Sequence, residues 1–199
     1  MSDIYFTIAN EGEGVFKEKM SKFLSFARKV SDIESAKTII KQYQNEYHDA
    51  RHVCWAYMIG PDRQTWQLND NGEPSGTAGK PILGQINSLS LTDVLVVVVR
   101  YFGGIKLGTP GLIAAYREAA RLALEDAGIR EVHKMQSVEI TFPYMVSNDV
   151  MKVIKSEDIE VTDRNFDNSC EMKLSFREDD AEKIKGRLSN ISGLSLIDL

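Results

Sequence analysis

A chain of 199 residues with 43% hydrophobic and 27% charged side chains can bury one large core or two small ones, and its balance excludes a disordered tail or a fibre. The formal net charge of −5 is uneven: residues 1–130 hold 15 Lys and Arg against 15 Asp and Glu, and residues 131–199 hold 9 against 14. Polyanion binding draws on Lys and Arg that displace counterions, so a generic nucleic-acid coat is excluded, and only the first part has room for a local basic surface.

The first predicted element is a strand over residues 21–27, where Phe23, Leu24 and Phe26 interleave with polar positions. Asp32 or Ser31 caps a helix running to about Tyr47, with Ile33, Ala36, Ile39, Ile40 and Tyr43 on one face. His52 to Ile59 reads as a second strand, which turns at Pro61-Asp62-Arg63 and pairs back through Thr65 to Leu68. After a glycine-rich loop from Asn69 to Lys80, Pro81 opens a helix to about Leu89, where its missing donor costs nothing. The apolar run Val94 to Val99 predicts a buried strand ending at Tyr101, and a long helix runs from Gly111 or Leu112 to Ala127, stopped by Gly128.

From about Glu131 the pattern restarts. Strands are predicted at residues 138–142, 161–165, 171–176 and 194–197, with a turn at Asp167-Asn168-Ser169. Helices are predicted from about Met145 to Lys155 and from a cap at Asp179 or Asp180 to about Leu188. The order β-α-β-β-α-β is that of a ferredoxin-like unit. The expected organisation is an α+β protein of two domains, 1–130 and 131–199.

The opening residues 1–16 lack the basic patch and apolar run of a secretory signal, and no stretch approaches a membrane span. Cys54 and Cys170 are too far apart to suggest a disulfide framework or a zinc site. A cytoplasmic location without a membrane partner is therefore expected. His48, His52 and Cys54 are the only metal-like group, and three such ligands split between a helix end and a strand do not make a typical site. No metal is expected.

Two loops hold the unusual residues, Asp70 to Pro81 and Arg100 to Gly111. Each leads into a helix, so backbone N–H groups and the helix dipole favour an anion there. Lys80, Arg100 and Lys106 offer charge-assisted bonds to phosphate, Gly76, Thr77, Gly103 and Gly104 offer close backbone approach, and Tyr101 and Phe102 offer stacking surfaces for bases. The plainer reading is that the glycines permit turns, Thr77 caps a helix, and the aromatics cover a sheet edge. Neither nucleotide fingerprint is present. Pro74 and Pro81 stand where a P-loop needs glycine and a hydroxyl residue, and Lys106 breaks the dinucleotide pattern after Gly104. No cofactor is implied. On a strand His52 and Cys54 share a face, which makes a thiol–imidazole couple one reading and a buried strand cysteine the other. Asp70 and Glu73 read either as an acid–base pair or as capping and solvated charges.

Three segments together resemble the IMPACT/YigZ family: His52 to Tyr57, Asp70 to Leu83, and Val97 to Gly108, with Phe26 to Val30 upstream. The resemblance spans roughly residues 15–130, and the tail resembles the smaller second domain of bacterial members. It implies a first domain folded like the fourth domain of elongation factor G and a second like its fifth. It further implies a translation-associated role with the ribosome or structured RNA as partner, and it transfers no catalytic residue. Departures from the family pattern are Asn71, where a second aspartate is common, Pro110 in place of glycine, and Ala114 in place of arginine. The leading expectation is an RNA- or ribosome-binding protein. The alternatives are an enzyme or small-anion-binding protein acting at His52, Cys54, Asp70 and Glu73, and a protein-interaction module.

Overall fold

The structure, a computed structural model, describes residues 3–166 and 170–199. Its contacts divide the chain into two compact units. One comprises Tyr5–Val132, and the other comprises His133–Leu199 together with the residues up to Ile4. Asp3 belongs with the second unit because its carbonyl accepts the Lys134 N–H at 2.5 Å and its carboxylate lies 3.2 Å from His133 Nδ1.

The first unit is built on β1 (Ile4–Ile8) from Tyr5 onward, β2 (Gly12–Glu18), β3 (Ser21–Lys29), α1 (Ile33–Glu46), β4 (His52–Ile59), β5 (Thr65–Asn69), α2 (Gly79–Ser88), β6 (Val94–Tyr101), α3 (Gly108–Ala127) and β7 (Ile129–His133) as far as Val132. β1 pairs with β7, and the main sheet has the order β2-β3-β6-β4-β5 with every pairing antiparallel. α1 covers one face through Ala36, Ile40 and Tyr43, which pack on Phe26, Val53, Trp55, Val97 and Val99. α2 and α3 cover the other face through Ile82, Ile86, Leu112, Tyr116 and Ala120, which pack on Phe23, Cys54, Ala56, Val96 and Val98. Because β4 and β6 are buried on both faces, they read as continuous apolar runs rather than alternating ones. Each large apolar side chain so buried contributes about 1.5–3 kcal/mol.

Local chemistry sets the element ends. The Asp32 carboxylate accepts the Ser35 N–H at 2.7 Å in a capping box that starts α1. Gly128 takes φ 66 at the end of α3, a left-handed conformation that favours glycine. Both named helices start earlier than expected, α2 at Gly79 rather than Pro81 and α3 at Gly108 rather than Gly111. In α2 the reason is a cap supplied from a distance by Asp70, whose carboxylate accepts the Gly79 N–H. β1, β2 and β7 escaped the sequence reading because β2 is rich in Gly and Glu and all three are short of apolar alternation.

The second unit runs β8 (Met135–Phe142), α4 (Ser147–Ser156), β9 (Glu160–Phe166), β10 (Cys170–Arg177), α5 (Ala181–Ser189) and β11 (Ser195–Asp198). Its sheet order, β11-β8-β10-β9, is antiparallel throughout. Val138, Ile140, Phe142, Met172, Leu174 and Phe176 face α4 and α5 in one core. The Asp180 side chain makes no capping bond to α5, which instead follows a 3-10 turn over Glu178–Asp180. The turn expected at residues 167–169 lies outside the described residues. The whole is a mixed α+β protein, as the order of predicted elements requires.

Candidate functional site

Antiparallel register at the end of the main sheet assembles the site. Arg100 on β6 sits opposite His52 on β4 and opposite Phe23 on β3. Strand alternation then points Arg100 and Cys54 toward α2 and α3 and sends Tyr101 to the other face, where its hydroxyl donates to Asp49 Oδ1 at 2.9 Å. Tyr101 therefore does not join Arg100 and Phe102. This corrects the pairing of the two aromatics, because the strand period of two separates neighbours.

The first glycine-rich loop satisfies its own polar groups. The Asp70 carboxylate accepts the N–H groups of Gly76 at 2.8 Å, Ala78 at 3.0 Å and Gly79 at 2.8 Å, so the anion at the start of α2 is the protein's own. Burial works to raise the Asp70 pKa, but the bonds from Gly76, Gly79 and Ala78 outweigh it and hold the carboxyl below its ordinary range. Buried Thr77 is consumed as well, since its N–H and hydroxyl both donate to the Pro74 carbonyl, at 3.0 and 2.6 Å. Asn71, at φ 43, ties the loop to β4. Its Oδ1 accepts the Val53 N–H at 2.9 Å, and its carbonyl accepts from His52 Nδ1 at 2.8 Å. This corrects the expectation of a free anion cradle around Gly76, Thr77 and Lys80. Exposed Lys80 packs near Gly76 and does not line the cleft.

Glu73 is the hub. It is 9% exposed, and its Oε1 accepts from Arg100 Nη1 at 2.6 Å and from the Tyr116 hydroxyl at 2.8 Å, with His52 Nε2 3.8 Å away. The Nδ1 proton of His52 is fixed by the Asn71 carbonyl, which can only accept. Arg100 is 5% exposed, its Nη2 reaches Ser21 Oγ at 3.4 Å, and its Nε is buried with no hydrogen-bond partner among the described residues. Its guanidinium carbon lies 5.6 Å from the Phe23 ring and 5.5 Å from the Phe102 ring.

Cys54 is fully buried, with Sγ 3.0 Å from the Asp70 carbonyl and 3.3 Å from the Tyr116 hydroxyl. Its single S–H serves one of them at a time. Burial pushes the thiol up to about 12, and it stays protonated at neutral pH. The same burial raises the Tyr116 phenol. His52, Cys54, Asp70 and Glu73 thus come together in space, yet the sulfur is sealed and the Asp70 carboxylate is fully engaged. The thiol–imidazole couple has no nucleophile. His48 turns to the Asn45 carbonyl, and among the described residues no three His, Cys, Asp or Glu side chains are placed to hold a metal ion.

Outside this hub lies a cleft of about 460 Å³, whose lining includes Arg51, His52, Glu73, Arg100, Phe102 and Lys106 together with the first residues of α3. Arg51 and Lys106 are exposed at its margin, and Phe102, 37% exposed, has the Arg51 guanidinium 5.8 Å from its ring centre. Leu107, the residue before α3, gives no side-chain cap, so the N–H groups of Gly108 and Thr109 open the helix uncapped. Pro110 sits in this first turn, where its missing donor costs nothing, and Ala114 is exposed and outside the lining. Gly103 must be glycine, because a Cβ there would meet the Met20 carbonyl oxygen at 2.1 Å. The β2–β3 turn therefore braces the cleft's aromatic edge, while exposed Gly104, at φ 89, has open space around it.

Three cations against one carboxylate make the cleft positive. By contrast, a hollow of about 210 Å³ on the second unit's sheet is lined by Glu139, Asp163 and Glu171 against Arg164 and Lys173. The sequence reading missed Arg51, Tyr116 and Ser21 as parts of the first site. Arg51 lies just before β4, where no motif marks it, and Tyr116 looked like one more residue of the apolar helix stripe.

The family profile of the Impact N-terminal domain matches residues 19–124, a span that contains the cleft. The chain is 32% identical to IMPACT family member YvyE of Bacillus subtilis (strain 168), over 87% of this chain and 80% of that one. It is 42% identical to IMPACT family member YigZ of Escherichia coli (strain K12), over 53% of each. The crystal structure of a hypothetical protein superposes with a TM-score of 0.77 at 27% identity, covering 100% of this chain and 98% of the other. No described helix is long and apolar enough to cross a membrane.

Proposed function

Because the chain belongs to the IMPACT family, we propose that it is a translation-associated protein that binds ribosomal or structured RNA through the cleft of its first unit. The observation that carries this reading is the cleft itself, where exposed Arg51 and Lys106 flank an exposed aromatic ring and an uncapped helix start. Cations of this kind position a phosphate backbone, and an accessible ring flanked by guanidinium groups accepts an unstacked base. The likeness that the family implies to the fourth and fifth domains of elongation factor G supports the ribosome as the RNA's setting. The charge distribution also favours the first unit, since the acidic excess lies in the second.

Arg100 holds Glu73 and lines the cleft from within, whereas Arg51 and Lys106 stand at the mouth, where a phosphate would first meet them. The test is cosedimentation with bacterial ribosomes and subunits from about 50 to 300 mM salt. Wild type should bind, with affinity falling as salt rises. Arg51→Ala/Lys106→Ala should bind more weakly, and its salt slope should be shallower by about one unit for each phosphate no longer neutralised. Absence of cosedimentation at the lowest salt, with the protein folded, refutes the reading. The Cys54 thiol and the Asp70 carboxylate are engaged within the fold and act as structural groups.

A further inference from the structure

The cleft carries more positive charge than one backbone phosphodiester needs. Resting on the RNA-binding reading, we propose that it holds a terminal phosphate, the dianion at the end of an RNA strand or on a nucleoside monophosphate.

The charges come first. Glu73 is matched by Arg100 at 2.6 Å, which leaves Arg51 and Lys106 in the lining with no ion-pair partner among the described residues. A phosphodiester brings one negative charge, and a phosphate monoester brings close to two at neutral pH. The donors agree. Arg100 has five N–H groups, but among the described residues only Glu73 and a long contact to Ser21 occupy them, and its buried Nε has no partner. That Nε is closed to the cleft, so an arriving oxygen would instead meet the Nη hydrogens that Glu73 and Ser21 leave unused on Arg100, which lines the cleft. Gly108 and Thr109, also in the lining, add the backbone donors of an uncapped 20-residue helix. A monoester exposes three terminal oxygens to such donors, and a diester exposes two. The remaining volume suits a nucleoside, because about 460 Å³ is the size of a small-molecule site and Phe102 supplies a stacking wall.

The experiment measures binding of one RNA oligonucleotide in three forms: 5′-phosphorylated, 3′-phosphorylated and without terminal phosphate. Inorganic phosphate and adenosine monophosphate serve as competitors and as direct ligands in calorimetry. The expected result is binding at least about tenfold tighter for a phosphorylated end. That preference should be lost in Arg51→Ala/Lys106→Ala, whose exposed positions leave the fold intact by circular dichroism. Binding of phosphate or the monophosphate that depends on Arg51 and Lys106, without any RNA affinity, supports the dianion site and overturns the RNA reading. Equal affinity for all three RNA forms, with no response to free phosphate, overturns the terminal-phosphate inference and leaves RNA binding standing. No binding of any probe overturns both.

Discussion

Replacing Arg100 with methionine isolates the energetics of the hub. The substitution keeps most of the side-chain volume, so its cost is electrostatic rather than a cavity. It removes the cation 2.6 Å from Glu73 and leaves a carboxylate that is 9% exposed with one hydroxyl donor, Tyr116 at 2.8 Å. Breaking a buried pair from one side costs about 3–5 kcal/mol, a large share of the roughly 5–15 kcal/mol that a domain has. With a urea dependence of about 2 kcal/mol per molar, the unfolding midpoint should fall by about 2 M. Tryptophan fluorescence reads this cleanly, because the chain's two tryptophans, Trp55 and Trp66, both lie in the first unit. The double variant Arg100→Met/Glu73→Gln removes both charges while the glutamine oxygen still accepts from Tyr116. It should recover at least about 2 kcal/mol of the loss. A midpoint drop below about 0.5 M for Arg100→Met, or no recovery in the double variant, refutes the reasoning.

Asp70→Asn should cost about 1–3 kcal/mol at pH 7, measured by the same urea titration, because three backbone donors at the start of α2 lose a charged acceptor. The Asp70 pKa is lowered by folding, so its contribution is present above the ordinary carboxylate value of about 3.9 and is lost as pH falls through the folded value. The gap between wild type and Asp70→Asn should therefore close in acid, and a gap that widens below about pH 4 would contradict it. Alkylation of Cys54 at pH 8 should be slower than that of a free thiol by on the order of a thousandfold, as peptide mapping by mass spectrometry can measure; rapid labelling of the native protein would show the sulfur to be accessible. Gly103→Ala should lower thermal stability and loosen the β2–β3 turn, seen as faster amide exchange at Lys19 and Met20, since its Cβ would collide with the Met20 backbone at 2.1 Å.

Much of the fold was legible because local signals and burial agreed. The Val94–Val99 run could only be a strand buried on both faces, and the Asp32 cap and the Gly128 stop marked two helix ends. β2 was not legible, because its residues have poor strand propensity and it is held as a strand by pairing with β3. The site was legible in outline. Glycine loops before helices do draw anions, and Asp70 shows that the first loop's anion lies only a few residues away in the same chain. Whether a helix start is vacant or filled from within depends on where a carboxylate side chain folds back, and spacing alone does not reveal that. The Arg100 side chain likewise reads as a cation for an incoming phosphate until the β5–α2 loop brings Glu73 to it.

The loop between β5 and α2 is fastened twice, by Asp70 to the start of α2 and by Glu73 to β6 and α3. The cleft wall it forms is therefore already in place before any ligand arrives. Binding need not wait for a loop to order, so association should proceed in one step at a rate set by diffusion and charge. The residues at the mouth, Arg51, Phe102 and Lys106, lie outside that clamp. Ligand choice can drift there by single substitutions while the scaffold keeps its stability, which makes the cleft a readily retargeted surface.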